Sequence, residues 1–428
     1  MLEPEVESRP WPEQLAVDGA SFREQLTYLL ERSAFYRKKL AGHDPTVALA
    51  EIAQLPLTEK DELRATRTPE NPFGTHLCAE PHELLRIYST SGTTGEPSYI
   101  PLTAGDLDNW VTGSARSYAA SGISAGQRIV STYNAGPFVA GAALASFDRI
   151  GLCHIPVGTG NTDRLVQAIE RLRPEAAVLT PSYAAYLAEN HDLRDSSVER
   201  VLVAGEPGGG EESFRRALES HYRAPVYEIM GIGDIAASLW GECEAQAGMH
   251  FSAGGIVHVE LIDPDSGRAL PFEDGTTGEL VYTHLRRQAV PLVRFRSRDH
   301  VVAYASRCSC GRSSLRVRCI GRTDDMLIVR GVNVFPAAVR EVVARFAPQV
   351  TGAIEVRPRR RTVKQDPPLP VVVELADTEQ PHPALGDAIA AELRAALTFA
   401  AEVRLVPARS LPRSEYKSKL LNFSEAGD

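Results

Sequence analysis

The 428-residue chain is long for a single hydrophobic core, which predicts two or three domains. Its 43% hydrophobic and 24% charged residues are ordinary for a soluble protein. A net charge of −9 argues against nucleic acid as a general partner. Six cysteines are too sparse for a disulfide scaffold, MLEPEVESRP reads as no signal peptide, and no apolar stretch reaches the roughly 18 residues that span a bilayer, so a cytoplasmic enzyme without a membrane partner is expected.

Residues 20–42 are expected to be helical, with Phe22, Leu26, Leu29 and Leu30 at helical spacing. From about residue 125, short apolar strands alternate with helical segments: RIVSTYN, GPFVAGAALASFDRI, CHIPV, TDRLVQAIERLRP, AAVLTPS, then VERVLVAG, ESFRRALESHY and PVYEIMG. That rhythm predicts an α/β fold, a parallel sheet covered by helices with ligands at the carboxyl ends of its strands. Residues 255–305 change to hairpin-like strands, GIVHVELID, GELVYTHL and DHVVAYA, so a β-rich subdomain is expected over about 250–320. From about residue 325 the order βαββαβ predicts a small ferredoxin-like α+β domain, dividing the chain into 1–323 and 324–428. The basic run RPRRRTVK, Arg357 to Lys364, reads as a solvated hairpin tip, with a ligand-phosphate contact as the other reading.

The stretch YSTSGTTGEPSYIP, from Tyr88 to Pro101, is dominated by hydroxyls and glycines. Glycines let a backbone approach an anion, and amides with short hydroxyls supply donors without bulk, so it reads as a phosphate cradle. An irregular surface loop is the competing reading on composition alone. A Walker A loop is excluded, because no Gly-Lys-Ser/Thr follows.

STSGTTGEP resembles the nucleotide loop of the adenylate-forming superfamily, which includes acyl-CoA synthetases, luciferases and adenylation domains. Other pieces follow in that superfamily's order: AGEPGG, EIMGIGDIAAS, VRFRSRD, GRTDDMLIVRGVNVFP and LPRSEYKSK. Within it the chain is most similar to the phenylacetate-CoA ligase family, through FYRKKL, LPLTEKDEL, TPSYAAYLAE and the long hinge motif, over essentially its whole length. The resemblance implies that a carboxylate attacks the α-phosphorus of ATP to give acyl-AMP, which coenzyme A then takes. It assigns Thr90, Ser91, Gly92, Thr93, Thr94 and Gly95 to the β/γ-phosphates, and Gly205, Glu206, Pro207, Glu228, Met230 and Gly231 to the nucleotide. Asp234 takes the Mg²⁺ position, Asp299 the ribose hydroxyls with help from Arg322, Asp324 the hinge and Lys417 the catalytic cation. Asp299 as a turn cap and Lys417 as a solvated lysine are the plainer readings of each residue alone. Departures from the family pattern are Glu96 where a Lys is common, Met230 for an aromatic residue, Gly233 for a hydroxyl, Asp234 for Glu and Tyr416 for Gly.

Cys243, His250, Cys308 and Cys310 make three thiolates and one imidazole, a full tetrahedral set for a structural Zn²⁺. Buried cysteines beside a surface histidine are the alternative; similar turns in relatives of the resembled family favour zinc, pinning the β-subdomain near the hinge. The resemblance places the acid substrate between Tyr133, Pro137, Phe138 and Gly141 on one side and Gly231 and Ile232 on the other. Phe138 is equally an ordinary helix-core residue. A small, glycine-rich wall suits an aryl or arylacetic acid. An adenylation enzyme passing its acyl group to a carrier-protein thiol or an amine is the alternative function, and a nucleotide-binding protein without turnover the minor one. A homodimer is a family expectation.

Overall fold

The computed structural model describes residues 1–89, 98–133, 140–377, 379–413, 420–424 and 426. The N-terminal region carries helices α1 (Pro4–Glu7), α2 (Trp11–Arg32), α3 (Ala34–Lys39) and α4 (Lys60–Arg64). The single helix expected over 20–42 is two, because Ser33 leaves helical geometry and its hydroxyl accepts the Tyr36 amide as an N-cap. Phe22, Leu26, Leu29 and Tyr36 are fully buried in a small core closed by Leu285 and Val293.

Strands β1 (Leu84–Ser89) and β2 (Tyr99–Thr103) form a two-stranded hairpin leading into α5 (Ala104–Ala119), which Thr103 opens with a capping box. The doubly wound part follows: β3 (Arg128–Ser131), α6 (Ala140–Ile150), β4 (Cys153–Pro156), α7 (Thr162–Leu172), β5 (Ala176–Leu179), α8 (Pro181–Asn190), β6 (Arg200–Ala204), α9 (Glu212–Tyr222) and β7 (Val226–Ile232). The antiparallel part comprises β8 (Ala236–Glu242), β9 (Met249–Phe251), β10 (Val257–Ile262), β11 (Ala269–Leu270), β12 (Thr277–His284), β13 (Phe295–Tyr304) and β14 (Arg316–Arg322).

Among the described residues these strands form one twelve-stranded sheet, in the order β11-β10-β12-β13-β14-β9-β8-β7-β6-β5-β3-β4. Strands β4, β3, β5, β6 and β7 run parallel, and every pair from β7–β8 outward is antiparallel. The parallel sheet and β-rich region expected from the sequence are therefore one continuous surface, fused where β7 meets β8. Helix α5 packs against β8 so closely that a Cβ on Gly241 would lie 2.1 Å from the Ser117 carbonyl oxygen.

After the turn Thr323–Asp325, the C-terminal region has its own core, from Leu327 to Phe399. It contains β15 (Leu327–Val329), β16 (Val332–Val334), α10 (Pro336–Ala344), β17 (Val350–Val356), β18 (Lys364–Gln365), β19 (Leu369–Leu375), α11 (Pro383–Leu397) and β20 (Ala401–Val406). The ferredoxin-like expectation needs correction. A βαββαβ sheet would insert its first strand between the third and fourth, but here β15 pairs with β16 and β18, leaving the order β17-β19-β20 with β19 and β20 directly parallel. The three-residue arms of the β15–β16 hairpin satisfy each other locally, so β15 never reaches the larger sheet. The basic run lies in the β17–β19 connection as expected, with Arg359 and Arg360 exposed and paired with Glu402 and Asp366.

Candidate active site

The chain leaves β3 toward β4 on one side and returns to β5 on the other, so β3 and β5 flank a topological switch point where open α/β sheets hold ligands. Tyr133 follows β3 there, 8% exposed and 3.5 Å from the Tyr118 hydroxyl, and Gly141 lies half-buried in α6. Pro137 and Phe138, expected on the same wall, lie outside the described residues. So do Thr90, Ser91, Gly92, Thr93, Thr94, Gly95 and Glu96 of the hydroxyl-rich stretch, and Tyr416 and Lys417 near the C-terminus.

The loop after β6 follows the carboxyl end of that strand. The Glu206 carboxylate accepts the Ser182 amide at the start of α8 (2.7 Å), Gly205 is exposed and Pro207 half-buried. Glu228 behaves differently from the expected ligand contact. It is 5% exposed beneath the loop, where Cβ atoms on Gly209 and Gly210 would lie 3.0 and 2.7 Å from its side chain. Burial pushes its carboxyl up to about 7, with Glu242 adding to the rise and Arg215 opposing it.

At the end of β7, Met230 is half-buried and Gly231 exposed, while Ile232 joins the core. A Cβ on Gly231 would sit 2.1 Å from the Ala237 carbonyl oxygen, so the tight crossing into β8 demands glycine. Asp234, in the β7–β8 turn, meets a partner the sequence reading missed: Lys60 Nζ lies 2.6 Å from its Oδ2.

Asp299 and Arg322 are cross-strand neighbours on β13 and β14, and Arg322 Nη1 donates to Asp299 Oδ1 at 2.6 Å. Arg322 Nη2 reaches Asp324 at 3.3 Å, so Asp299, Arg322 and Asp324 form one chain. Burial raises the Asp299 carboxyl's affinity for a proton and Arg322 opposes this.

The C-terminal region docks beside the β6 loop. Arg340 of α10 pairs with Glu211 (2.7 Å), donates to the Pro207 carbonyl oxygen (2.8 Å) and stacks over Phe214 at 5.0 Å. Glu341 accepts the amide and hydroxyl of Ser213 at the start of α9, and Arg413 bridges Glu189 of α8 to buried Glu374. None of these pairings has a local sequence signature, because the partners lie more than a hundred residues apart or, as with Glu374 and Arg413, on elements joined only by packing.

Cys243, His250, Cys308 and Cys310 converge, with their ligand atoms all within 4.8 Å of one another. Cys243 and Cys308 sulfurs are 3.6 Å apart, and Cys310 Sγ lies 3.3 Å from His250 Nε2. A tetrahedral zinc with Zn–S bonds of about 2.3 Å has ligand edges near ~3.8 Å, so the set fits. Ser314 faces His250 Nδ1 at 3.3 Å, leaving Nε2 toward the sulfurs. The group precedes β14 while the hinge follows it, a separation of roughly 20 Å at about 3.4 Å per residue, so it does not pin the hinge itself.

The AMP-binding enzyme signature matches residues 26–285 and the AMP-binding enzyme C-terminal domain signature residues 331–422. A phenylacetate-coenzyme A ligase of Thermus thermophilus is 33% identical over 97% of both chains, and one of Escherichia coli 28% identical over 96% of this chain and 95% of its own. A 2-hydroxyisobutyryl-CoA ligase crystallised in its postadenylation state with R3-HIB-AMP superposes with TM-score 0.89 at 25% identity, over 98% of this chain and 92% of that one. Its thioesterification state superposes at 0.72, at 26% identity over 98% and 91%. The two regions here are therefore arranged more like the first state than the second.

Two outcomes are expected. Glu228 ionises with difficulty in the fold, so stability falls as pH rises from its ordinary 4.5 toward about 7. Glu228→Gln should match the unsubstituted chain near pH 4 and be the more stable at pH 8, by at most about 3 kcal/mol; equal stability at both pH values would remove the assignment. Arg340→Ala leaves Glu211, its side chain only 11% exposed, without its partner, a loss of about 3 kcal/mol at that contact. Amide exchange should quicken in α10 and the first turn of α9 while the central strands stay protected, and unchanged exchange there would show the pairing to be idle.

Proposed function

The chain belongs to the AMP-binding enzyme family, and from that premise we propose that it is an AMP-forming acid:CoA ligase acting on an aryl or arylacetic acid. The substrate carboxylate attacks the α-phosphorus of ATP and expels pyrophosphate. The thiol of coenzyme A, losing its proton, then attacks the acyl carbonyl and AMP leaves. The observation that carries this reading is the continuous Asp299–Arg322–Asp324 chain, which joins a buried carboxylate of β13 to the turn that opens the C-terminal region.

In this reading Asp299 accepts hydrogen bonds from the ribose hydroxyls, with Arg322 keeping its carboxylate ionised. Adenine lies between the Gly205–Pro207 loop and the Met230–Gly231 edge, where a thioether replaces the more usual ring. The hydroxyl-rich stretch from Thr90 to Gly95 is assigned to the phosphates and Lys417 to the α-phosphate, as a point charge that leaves when the C-terminal region turns about Asp324. Mg²⁺ entering with the nucleotide would neutralise phosphate charge. The acid sits beside Tyr133, Gly141 and Ile232, and the absence of bulk at Gly141 and Gly231 favours a flat ring over a long chain.

Zn²⁺ held by Cys243, His250, Cys308 and Cys310 is the second part of the proposal. All four protein ligands are present and no position is open to substrate, so the metal's role is structural: it would tie the β13–β14 turn to β8 and β9.

Pyrophosphate exchange should be fastest with benzoate-like or phenylacetate-like acids, and AMP should appear only when coenzyme A is added. Faster exchange with aliphatic chains would overturn the acid class, and exchange without coenzyme A-dependent AMP release would overturn the acceptor. The purified chain should carry about one zinc, and Cys308→Ser should lose it and melt earlier while exchange well below the melt stays within roughly twofold. Substoichiometric zinc in protein prepared without chelator would reject the site.

A further inference from the structure

We infer that Lys60, and not a divalent cation, is the resident counter-charge of Asp234. The inference sharpens one position of the proposed nucleotide site, and its test needs no turnover.

The pair is close and sheltered. Lys60 Nζ lies 2.6 Å from Asp234 Oδ2, and only 11% of the aspartate side chain is exposed. Lys60 is also aimed by construction. Thr58 is fully buried and inserted beside β13: its amide donates to the Arg294 carbonyl oxygen, its own carbonyl accepts from Arg296, and its hydroxyl donates to the Val293 carbonyl oxygen. Glu59 is held by Arg296 (3.1 Å) and Arg298 (2.6 Å), and a reciprocal capping box with Glu62 fixes the start of α4. A lysine at the first position of so tightly strapped a helix has little freedom to leave its partner.

The surroundings are wrong for a metal. Mg²⁺ takes oxygen ligands in near-octahedral array, and protein-held ions collect carboxylates. Among the described residues Asp234 belongs to no cluster of three or more potential ligands. The charged groups that feel its field are Arg67 and Arg287, and the imidazoles of His76 and His284, which burial drives down to about 4 and about 3 and so keeps neutral. Arg287 faces Asp106 at 3.6 Å. Among the described residues, three cations, Lys60, Arg67 and Arg287, thus share two carboxylates, Asp234 and Asp106. Among the described residues, buried Arg67 Nε and Arg287 Nε and Nη1 have no hydrogen-bond partner, so this part of the patch is short of acceptors and rich in positive charge. A second cation has no place there. A nucleotide-borne Mg²⁺ would instead be held by phosphate oxygens and water, which is how that ion is commonly bound.

Two measurements on the full-length chain test this. In a Mn²⁺ titration followed by electron paramagnetic resonance, without nucleotide, Asp234→Asn should bind as much Mn²⁺ as the unsubstituted chain; loss of one bound ion in that variant overturns the inference. In thermal melts Lys60→Met and Asp234→Asn should each lower the midpoint. The double variant should recover at least about half of the summed loss, because removing both charges leaves neither stranded, and Lys60→Arg should stay near the unsubstituted chain. Additive losses, or a Lys60→Arg variant as unstable as Lys60→Met, overturn it too. If Asp234→Asn fails to fold, the Mn²⁺ comparison is made between the unsubstituted chain and Lys60→Met/Asp234→Asn, in which neither charge is stranded, and loss of one bound ion there overturns the inference.

Discussion

Much of the molecule hangs on the antiparallel joint between β7 and β8. On one side of it lie parallel strands whose carboxyl ends border the switch point, and on the other an antiparallel sheet that carries Asp299 and Arg322, beside the cysteine–histidine cluster. The joint works only because two glycines let backbone approach backbone. Any side chain at Gly231 would strike the Ala237 carbonyl oxygen, and any at Gly241 would strike that of Ser117 in α5. Larger residues there would do more than create local strain. They would part the two halves of the sheet and move Asp234 and Asp299 relative to each other.

The electrostatic design follows from that geometry. Acids and bases near the crevice are mostly buried, so each is costly without a partner, and the structure supplies partners from distant chain segments. The N-terminal segment sends Lys60 to Asp234, β14 sends Arg322 to Asp299 and the C-terminal region sends Arg340 to Glu211. Glu228 and Glu242 share one arginine, Arg215, which pairs with Glu242 at 2.7 Å. Burial is the main cause that pushes the Glu228 carboxyl up to about 7, and the charge of Glu242 adds to it while the one arginine between them opposes it.

The family likeness and the α/β class were legible because they rest on local patterns: period-two strands, helical spacing and quoted motifs. The Asp299–Arg322 neighbourhood and the four metal-type side chains also come together as their motifs suggested. What was not legible depended on long-range pairing. Nothing in LPLTEKDEL says that its lysine reaches the β7–β8 turn, and nothing in the β-rich stretch says that its strands continue the parallel sheet. The Ser33 break was readable in principle, since a serine three residues before Tyr36 is an N-cap pattern, but the run of apolar residues masked it. The ferredoxin-like strand order failed because element order cannot tell whether a three-residue strand joins its neighbours or folds back on itself.

Arg340 touches both Glu211 and the carbonyl oxygen of Pro207, so a single guanidinium from one lobe grips both the start of α9 and the loop after β6 of the other. Lobe position and loop order are therefore thermodynamically linked, and linkage is reciprocal. Whatever settles the 205–210 loop must pull the lobes toward the arrangement seen here by the same free energy with which that arrangement settles the loop. The grip between the lobes in this sense also reports how firmly that loop is held.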